Sequence, residues 1–475
     1  LGIPGIAFAD GPRGCVISPA TAFPVSMARG ATFDPDLERR IGDAIGAELA
    51  ARGATYTGAV CVNLLRHPGW GRAQETYGED PHHVGELGAA LTEGLQRHVM
   101  ACVKHFACNS MENARFTVDV DADERALHEV YLPHFRRVVD AGVASVMSAY
   151  NSLNGVWCGQ HPVLLRDILR DEWGFDGFVI SDFTFGLRDA VASVEGGLNI
   201  EMPFRQQRAL ALPEALASGG VDEEVVDALV VEIVATSLRF ADRFDSVPDA
   251  DVVACDAHRA LAREAAGASM VLLRNADDLL PLDPGSLGRV AVLGRLAAVA
   301  NLGDQGSSNV LPPEVVTPLD GLRAALGEDR VAHHDTDVSI ADGATVCVVV
   351  VGFTKHDEGE FLDQSAMGAL SHLFPPMDHP ELGFATDEAR TAVFAALAEG
   401  QAGHGQAGRA PSESDFSVAG GDRRSLRLRP EDEARRLHAG KRRRAFRGFH
   451  QQGAVGADLG PFGRRQRPHG QAELA

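Results

Sequence analysis

Apolar and polar positions follow two periods along the first half of the chain. Short apolar runs at residues 3–8, 59–65, 100–106 and 144–150 read as strands, and stretches at 37–51, 82–98, 124–141 and 163–173 repeat their apolar positions at helical spacing. The run at 174–183, Gly-Phe-Asp-Gly-Phe-Val-Ile-Ser-Asp-Phe, organises the rest. Phe178, Val179 and Ile180 form a short buried strand after the turn signal Asp176-Gly177, and the run stops at the carboxylate Asp182. An acid just past a buried strand is where helix-covered parallel sheets deliver catalytic groups. The competing reading is a helix N-cap, a role that Ser181 and Asp182 also fit.

Repeated βα units predict a parallel sheet, closed most economically as a (β/α)8-type TIM barrel over residues 1–245, with a doubly wound open sheet as the runner-up. No Gly-x-Gly-x-x-Gly follows a strand, so nothing points to a dinucleotide. A linker rich in Asp, with Pro248, covers 246–258. A second α/β segment, 259–434, starts with a helix at 259–270 and short strands at 271–273 and 289–293. The run 345–351, Thr-Val-Cys-Val-Val-Val-Val, lacks alternation and reads as a fully buried strand. Gly303-Asp-Gln-Gly-Ser-Ser308 has no Walker lysine and reads as an ordinary loop rather than a phosphate cradle. A long polar stretch spans 361–421. Residues 435–475, with Lys441-Arg-Arg-Arg444, read either as a nucleic-acid tail or as out-of-frame, disordered text; we take the second reading.

Composition narrows the function classes. Of 475 residues, 45% are hydrophobic and 23% charged, which describes a globular chain of two domains. A formal charge of -22 disfavours nucleic acid and anionic membranes as partners. Seven scattered cysteines without a Cys-x-x-Cys pair predict buried free thiols in a reducing compartment rather than disulfides or zinc. That suggests the cytoplasm. The chain starts at Leu1 inside what reads as a strand, which leaves a missing leader, and so a secreted form, open.

Candidate chemistry gathers on the carboxyl side of the strands: Asp10, Arg66 and Arg72, Lys104 and His105, Asn109 and Arg115, Tyr150 and Asn151, and Asp182. Each alone has a dull explanation as a cap, turn former or solvated charge. In a barrel they meet at one rim. The set holds one carboxylate among cations and neutral hydrogen-bonders, with Trp70, Tyr77 and Trp157 as flat faces on which a sugar ring stacks. There is no Ser-His-Asp set, no His-x-x-x-His metal pair and no phosphate loop. A polyhydroxyl substrate fits this character.

The ordered motifs Asp10-Gly-Pro-Arg-Gly14, Glu75-Thr-Tyr-Gly-Glu-Asp-Pro81, Lys104-His-Phe106, Val179-Ile-Ser-Asp182, Glu201-Met-Pro203, Ser269-Met-Val-Leu-Leu-Arg-Asn275 and Thr317-Pro-Leu-Asp-Gly321 resemble β-glucosidases of glycoside hydrolase family three over roughly residues 1–430. The resemblance implies a (β/α)8-type barrel followed by an α/β sandwich, with retaining chemistry between them and no cofactor. It makes Asp182 the nucleophile and gives sugar binding to Asp10, Arg72, Lys104, His105 and Tyr150, with Arg115 as a further contact and Met147 lining the pocket. The acid/base of the family follows a buried strand of the second domain, which assigns Glu358, with Glu360 in reserve; the alternative is a solvated acidic loop. Three departures accompany it: no segment precedes Leu1, so the barrel is expected to miss its first unit; Phe183 stands where the family more often has Trp; and the likeness fades after residue 434, so the sandwich is expected to be incomplete. The expected substrate is a small β-glucoside or oligosaccharide, with a homodimer left open. The rivals are β-xylosidase or α-arabinosidase, N-acetylhexosaminidase, and an impaired truncated fragment. The hexosaminidase is disfavoured because Lys104-His-Phe-Ala-Cys-Asn-Ser110 replaces the loop that such members carry.

Overall fold

The structure, a computed structural model, describes residues 3–360 except positions 4, 204, 304, 305, 356 and 358. Glu358, the polar stretch 361–421 and the basic residues 435–475 therefore lie outside the described residues.

Five parallel strands form the larger sheet: β1 (Phe8–Ala9), β2 (Tyr56–Cys61), β3 (Met100–Phe106), β4 (Ser145–Ser148) and β5 (Phe178–Ile180). Each pairs with the next in chain order, and Ile180 makes a further parallel bridge to Ile200. A doubly wound sheet would reverse direction at a switch point. Unbroken order is the winding of a barrel, and these strands form an arc of one. The residues of β3 sort accordingly. Met100 and Cys102 join an inner cluster with Tyr56, Met147, Phe178 and Ile180, whereas Ala101 and Val103 pack outward against the helices.

The outer layer includes α1 (Pro35–Ala51), α2 (Pro81–Leu95) and α3 (Pro133–Asp140). Asp34 caps α1 by accepting from the amides of Asp36 and Leu37, both at 3.0 Å, and Asp80 caps α2 through the His83 amide at 2.8 Å. A proline opens each helix, where its missing N–H costs nothing. Helices α1 and α2 cross closely through Gly42, where an added Cβ would lie 2.6 Å from the Leu91 carbonyl oxygen. The helix expected over 124–141 is broken into three pieces, the last starting at Pro133. A proline ring inside a helix removes a donor and clashes with the preceding turn. Glu48 of α1, buried, accepts from the backbone and hydroxyl of Thr21 and from the Ala254 amide, and lies 2.7 Å from His258 Nδ1. That anchors the connection around 254–258 to the barrel.

The second sheet has three parallel strands, β6 (Val290–Leu293), β7 (Val331–His334) and β8 (Val346–Val349), with β6 in the centre. Two expectations fail here. Residues 271–273 form no strand and are exposed, Leu273 at 92%, because no neighbouring strand pairs with them among the described residues. Strand β8, expected to be fully buried, alternates between half-buried and exposed positions because, among the described residues, it has β6 on one side only. All seven cysteines are free. Five are buried, but Cys255 is half-buried and Cys347, on β8, is exposed.

Candidate active site

The carboxyl ends of β1, β3 and β5 converge on one polar cluster. Asp10 follows β1, Lys104 and His105 end β3, and Asp182 follows β5 by two residues. The loop after β2 brings Arg72 and Glu75, the segment after β3 brings Glu112 and Arg115, and Tyr150 follows β4. Because the strands are parallel, their carboxyl ends put all these positions at one rim.

Asp182 is 6% exposed. Its Oδ1 accepts from the Phe183 amide at 2.8 Å, Oδ2 lies 3.6 Å from His105 Nε2, and the Tyr150 hydroxyl interacts with the carboxylate. Burial pushes the Asp182 carboxyl up to about 6, with Arg115 and Arg72 opposing the shift and the Glu360 charge adding to it. The carboxylate is thus mostly ionised at neutral pH yet more basic than an ordinary aspartate.

Around it the cations are fixed. Lys104 Nζ donates to Asp10 Oδ1 at 2.8 Å. Burial opposes the Lys104 charge, but the Asp10 carboxylate outweighs it and holds the ammonium protonated. Arg72, 1% exposed, grips Glu75 with two hydrogen bonds of 2.7 Å. Its Nη1 lies 3.2 Å from His105 Nε2. Burial, then the charges of Arg72 and Lys104, hold His105 well below the ordinary histidine range, so the ring is neutral. With Asn63 Oδ1 accepting at Nδ1 (3.1 Å), Nε2 is left as acceptor for Arg72; this tautomer is assigned from the network. Arg115 lies under the Tyr150 ring, 4.9 Å from its centroid, and burial, then the Asp182 charge, keeps the Tyr150 phenol protonated.

One acid of the second domain joins this cluster. Glu360 accepts from Arg115 Nη1 at 2.9 Å, from Arg72 Nη1 at 3.5 Å and, through Oε2, from the Ser307 amide at 2.8 Å. Although burial favours its neutral form, Arg72 and Arg115 hold it well below the usual carboxylate range. Residues on either side of positions 304 and 305, in the run expected to be an ordinary loop, reach the barrel: Leu302 accepts from Arg13, and Ser307 Oγ lies 3.4 Å from Arg72 Nη2.

The expected site residues Asp10, Arg72, Lys104, His105, Arg115, Tyr150 and Asp182 thus form one network. Met147 is buried beneath it, in register with Ile180 on β5. Several candidates lie elsewhere. Arg66 stacks on Tyr131, Tyr77 donates to Glu38 at 2.6 Å under α1, and one face of Trp157 carries Arg188, 4.5 Å from the ring centroid. Sequence reasoning missed Glu112, 3.2 Å from Arg115 Nη1, whose carboxyl burial pushes up to about 7. It also missed the part that Asn63 plays in fixing His105. The i,i+3 spacing of Glu112 to Arg115, like that of Arg72 to Glu75, was the available signal. A surface cavity of about 380 Å³ lies away from this cluster and is lined by Arg295, Leu302, Asn309 and Lys355 among others. Convergent charge and burial locate the chemistry better than cavity size.

Residues 1–236 match the signature of the glycosyl hydrolase family 3 N terminal domain, and residues 270–375 match that of the C-terminal domain. The chain belongs to glycosyl hydrolase family 3. Among curated relatives, a beta-glucosidase of Rhizobium radiobacter is 39% identical over a 346-residue alignment that covers 70% of this chain and 42% of that protein. Thermostable beta-glucosidase B of Acetivibrio thermocellus is 32% identical over 84% of this chain and 56% of its own length. The chain thus spans about half the length of these relatives. Among solved structures, beta-glucosidase 3B from Thermotoga neapolitana in complex with alpha-D-glucose aligns with a TM-score of 0.68 and 30% identity, over 76% of this chain and 57% of that one. Beta-glucosidase from Kluyveromyces marxianus in complex with glucose aligns at 0.67 and 32%, over 70% and 42%. These neighbours support the barrel-like first domain followed by an α/β domain.

Proposed function

We propose that the protein containing this chain removes terminal β-D-glucosyl residues by a retaining mechanism, with Asp182 as nucleophile. The observation that carries this reading is the buried, basic Asp182 carboxylate, set among Arg72, Lys104, His105 and Tyr150, groups suited to hydroxyls. In the first step Oδ2 attacks the anomeric carbon, the glycosidic C–O bond breaks and an acid protonates the departing oxygen. In the second, water gives a proton to the acid's conjugate base, attacks the same carbon and releases the Asp182 carboxylate. Asp10, Lys104, His105 and Arg72 would grip the sugar hydroxyls, with Arg115 and Tyr150 beside the nucleophile and Met147 supporting the floor. The acid/base is assigned to Glu358, which leaves no need for a metal or organic cofactor.

The test is a panel of aryl glycosides. The β-glucoside should be hydrolysed with the highest kcat/KM. A higher value on the β-xyloside or α-arabinoside would move the assignment to those activities, and one on the N-acetylglucosaminide to a hexosaminidase. The pH dependence follows from Asp182. Protonation removes the nucleophile, so kcat/KM on an aryl β-glucoside should fall on the acid side with a midpoint near 6. A profile flat down to pH 4 would contradict that nucleophile environment.

A further inference from the structure

Neither Trp157 nor Arg188 has a part in the proposed hydrolysis, yet they tie three loops together beside Tyr150. Asn154 and Gly155 both have positive φ, as a two-residue hairpin turn requires, and Ser152 and Leu153 pair across it with Trp157 and Val156. The loop after β5 is pressed onto this hairpin. An added Cβ on Gly159 would lie 1.9 Å from the Gly186 carbonyl oxygen, and Gln160 Oε1 accepts from the amides of Arg188 and Asp189 at 3.1 and 2.9 Å. The Arg188 guanidinium then rests on the Trp157 ring and donates through Nη2 to the Phe116 carbonyl at 2.7 Å. Phe116, buried in the segment after β3, is the wedge. Its ring meets the Tyr150 ring edge to face, 4.7 Å between centroids, and the Arg115 guanidinium lies 4.7 Å from its centroid. Arg72 and Arg115 are paired with carboxylates, whereas Arg188 pairs with none among the described residues. Its firmest hold is on a backbone carbonyl of another loop.

We propose that Arg188 is a positioning residue: shelved on Trp157 and bonded to the Phe116 carbonyl, it locks the segment after β3 in place and so fixes Arg115 and Tyr150 beside Asp182. The effect on rate rests on the glycosidase reading, whereas the placement of the two groups does not. The charged and titratable groups that face Asp182 are Arg115, Arg72, Lys104, Glu360, His105 and Tyr150. Of these, Arg115 and Tyr150 touch Phe116. Both favour the ionised carboxylate, Arg115 by its charge and Tyr150 by its hydroxyl. Releasing either one should therefore make Asp182 harder to ionise. It should also spoil the alignment on which the attack depends.

The experiment compares Arg188→Met, Trp157→Leu and the double variant in the full chain. The Asp182 carboxyl is titrated by carbon NMR, with Asp182→Asn identifying its signal, and kcat/KM on an aryl β-glucoside is followed against pH. Arg188→Met should move the carboxyl midpoint and the acid limb of kcat/KM to higher pH, and should lower kcat/KM about 10- to 100-fold. Trp157→Leu removes no charge, so a shift in the same direction, smaller in size, reports placement alone. Because both changes act through one contact, the double variant should go no further than Arg188→Met. An unmoved Asp182 midpoint in Arg188→Met would overturn the proposal. A shift in Arg188→Met with none in Trp157→Leu would overturn it too, since the effect would then be the missing charge. Absence of glycosidase activity in the unsubstituted chain would instead sink the functional reading, with the carboxyl titration still deciding the placement.

Discussion

Replacing Asp182 by Ala should lower hydrolysis of an aryl β-glucoside by roughly 10⁴-fold or more, the scale seen when a covalent nucleophile is deleted, and should leave a folded protein. The stability half of this expectation is the less obvious one. Burial raises the Asp182 carboxyl from 3.8 to about 6. Its protonated form therefore favours folding below pH 4, and that contribution is lost as pH rises through 6. At pH 7 the charge costs about 2–3 kcal/mol on this shift. Asp182→Asn, which keeps the shape without the charge, should unfold at a higher denaturant concentration than the unsubstituted chain at pH 7, with the gap closing towards pH 4. Rates and denaturation midpoints measured on the same preparations check both halves. Equal activity in Asp182→Ala would remove the nucleophile assignment, and a lower midpoint for Asp182→Asn would show that the charge is better solvated than its burial indicates.

Replacing Arg72 by Met should do the reverse, destabilising the fold as well as the site. The guanidinium makes two 2.7 Å bonds to Glu75, itself 2% exposed, and serves His105, Glu360 and Ser307. Met fills similar volume but leaves buried carboxylates without their cation. Breaking such a pair by removing one partner costs roughly 3–5 kcal/mol. Changing both partners, Arg72→Met with Glu75→Gln, should restore a large part of that stability, although Glu360 still loses one of its cations. Chemical denaturation of the two single variants and the double variant measures the coupling. A loss below about 1 kcal/mol in Arg72→Met would mean that the pair is far more hydrated than its burial implies.

How legible this was in the sequence depended on how local each signal is. Strand β3 was readable residue for residue, because seven consecutive buried positions leave no other period. The acid after β5 was readable because an apolar run ends there abruptly. The break at Pro133 was also local and should have been taken from the proline itself. By contrast, residues 271–273 looked like a strand because pairing partners cannot be seen in a run of three. The edge position of β8 is likewise a property of the sheet, not of its valines. The site divides in the same way. Its members at strand ends were found through a shared rim. Tyr77 and Arg66 were misplaced because a motif gives order along the chain, whereas direction depends on which neighbour, Glu38 or Tyr131, claims the side chain. That Glu360 meets two arginines of the rim is visible only in the fold, because the partners lie 288 and 245 residues away along the chain.

The separation of those partners along the chain affects how the protein is made. Successive strands of the barrel pair with their chain neighbours, so that sheet can form as the chain emerges. Arg72 and Glu360, however, are 288 residues apart. At a synthesis rate of about 5–20 residues per second, roughly 15 to 60 s pass between the appearance of the cation and of its acid. During that interval Arg72 has Glu75 and Arg115 has Glu112 as partners, while the side that Glu360 later covers is left to water. The candidate cluster is therefore among the last parts of the barrel to be finished, well after the strands that carry it.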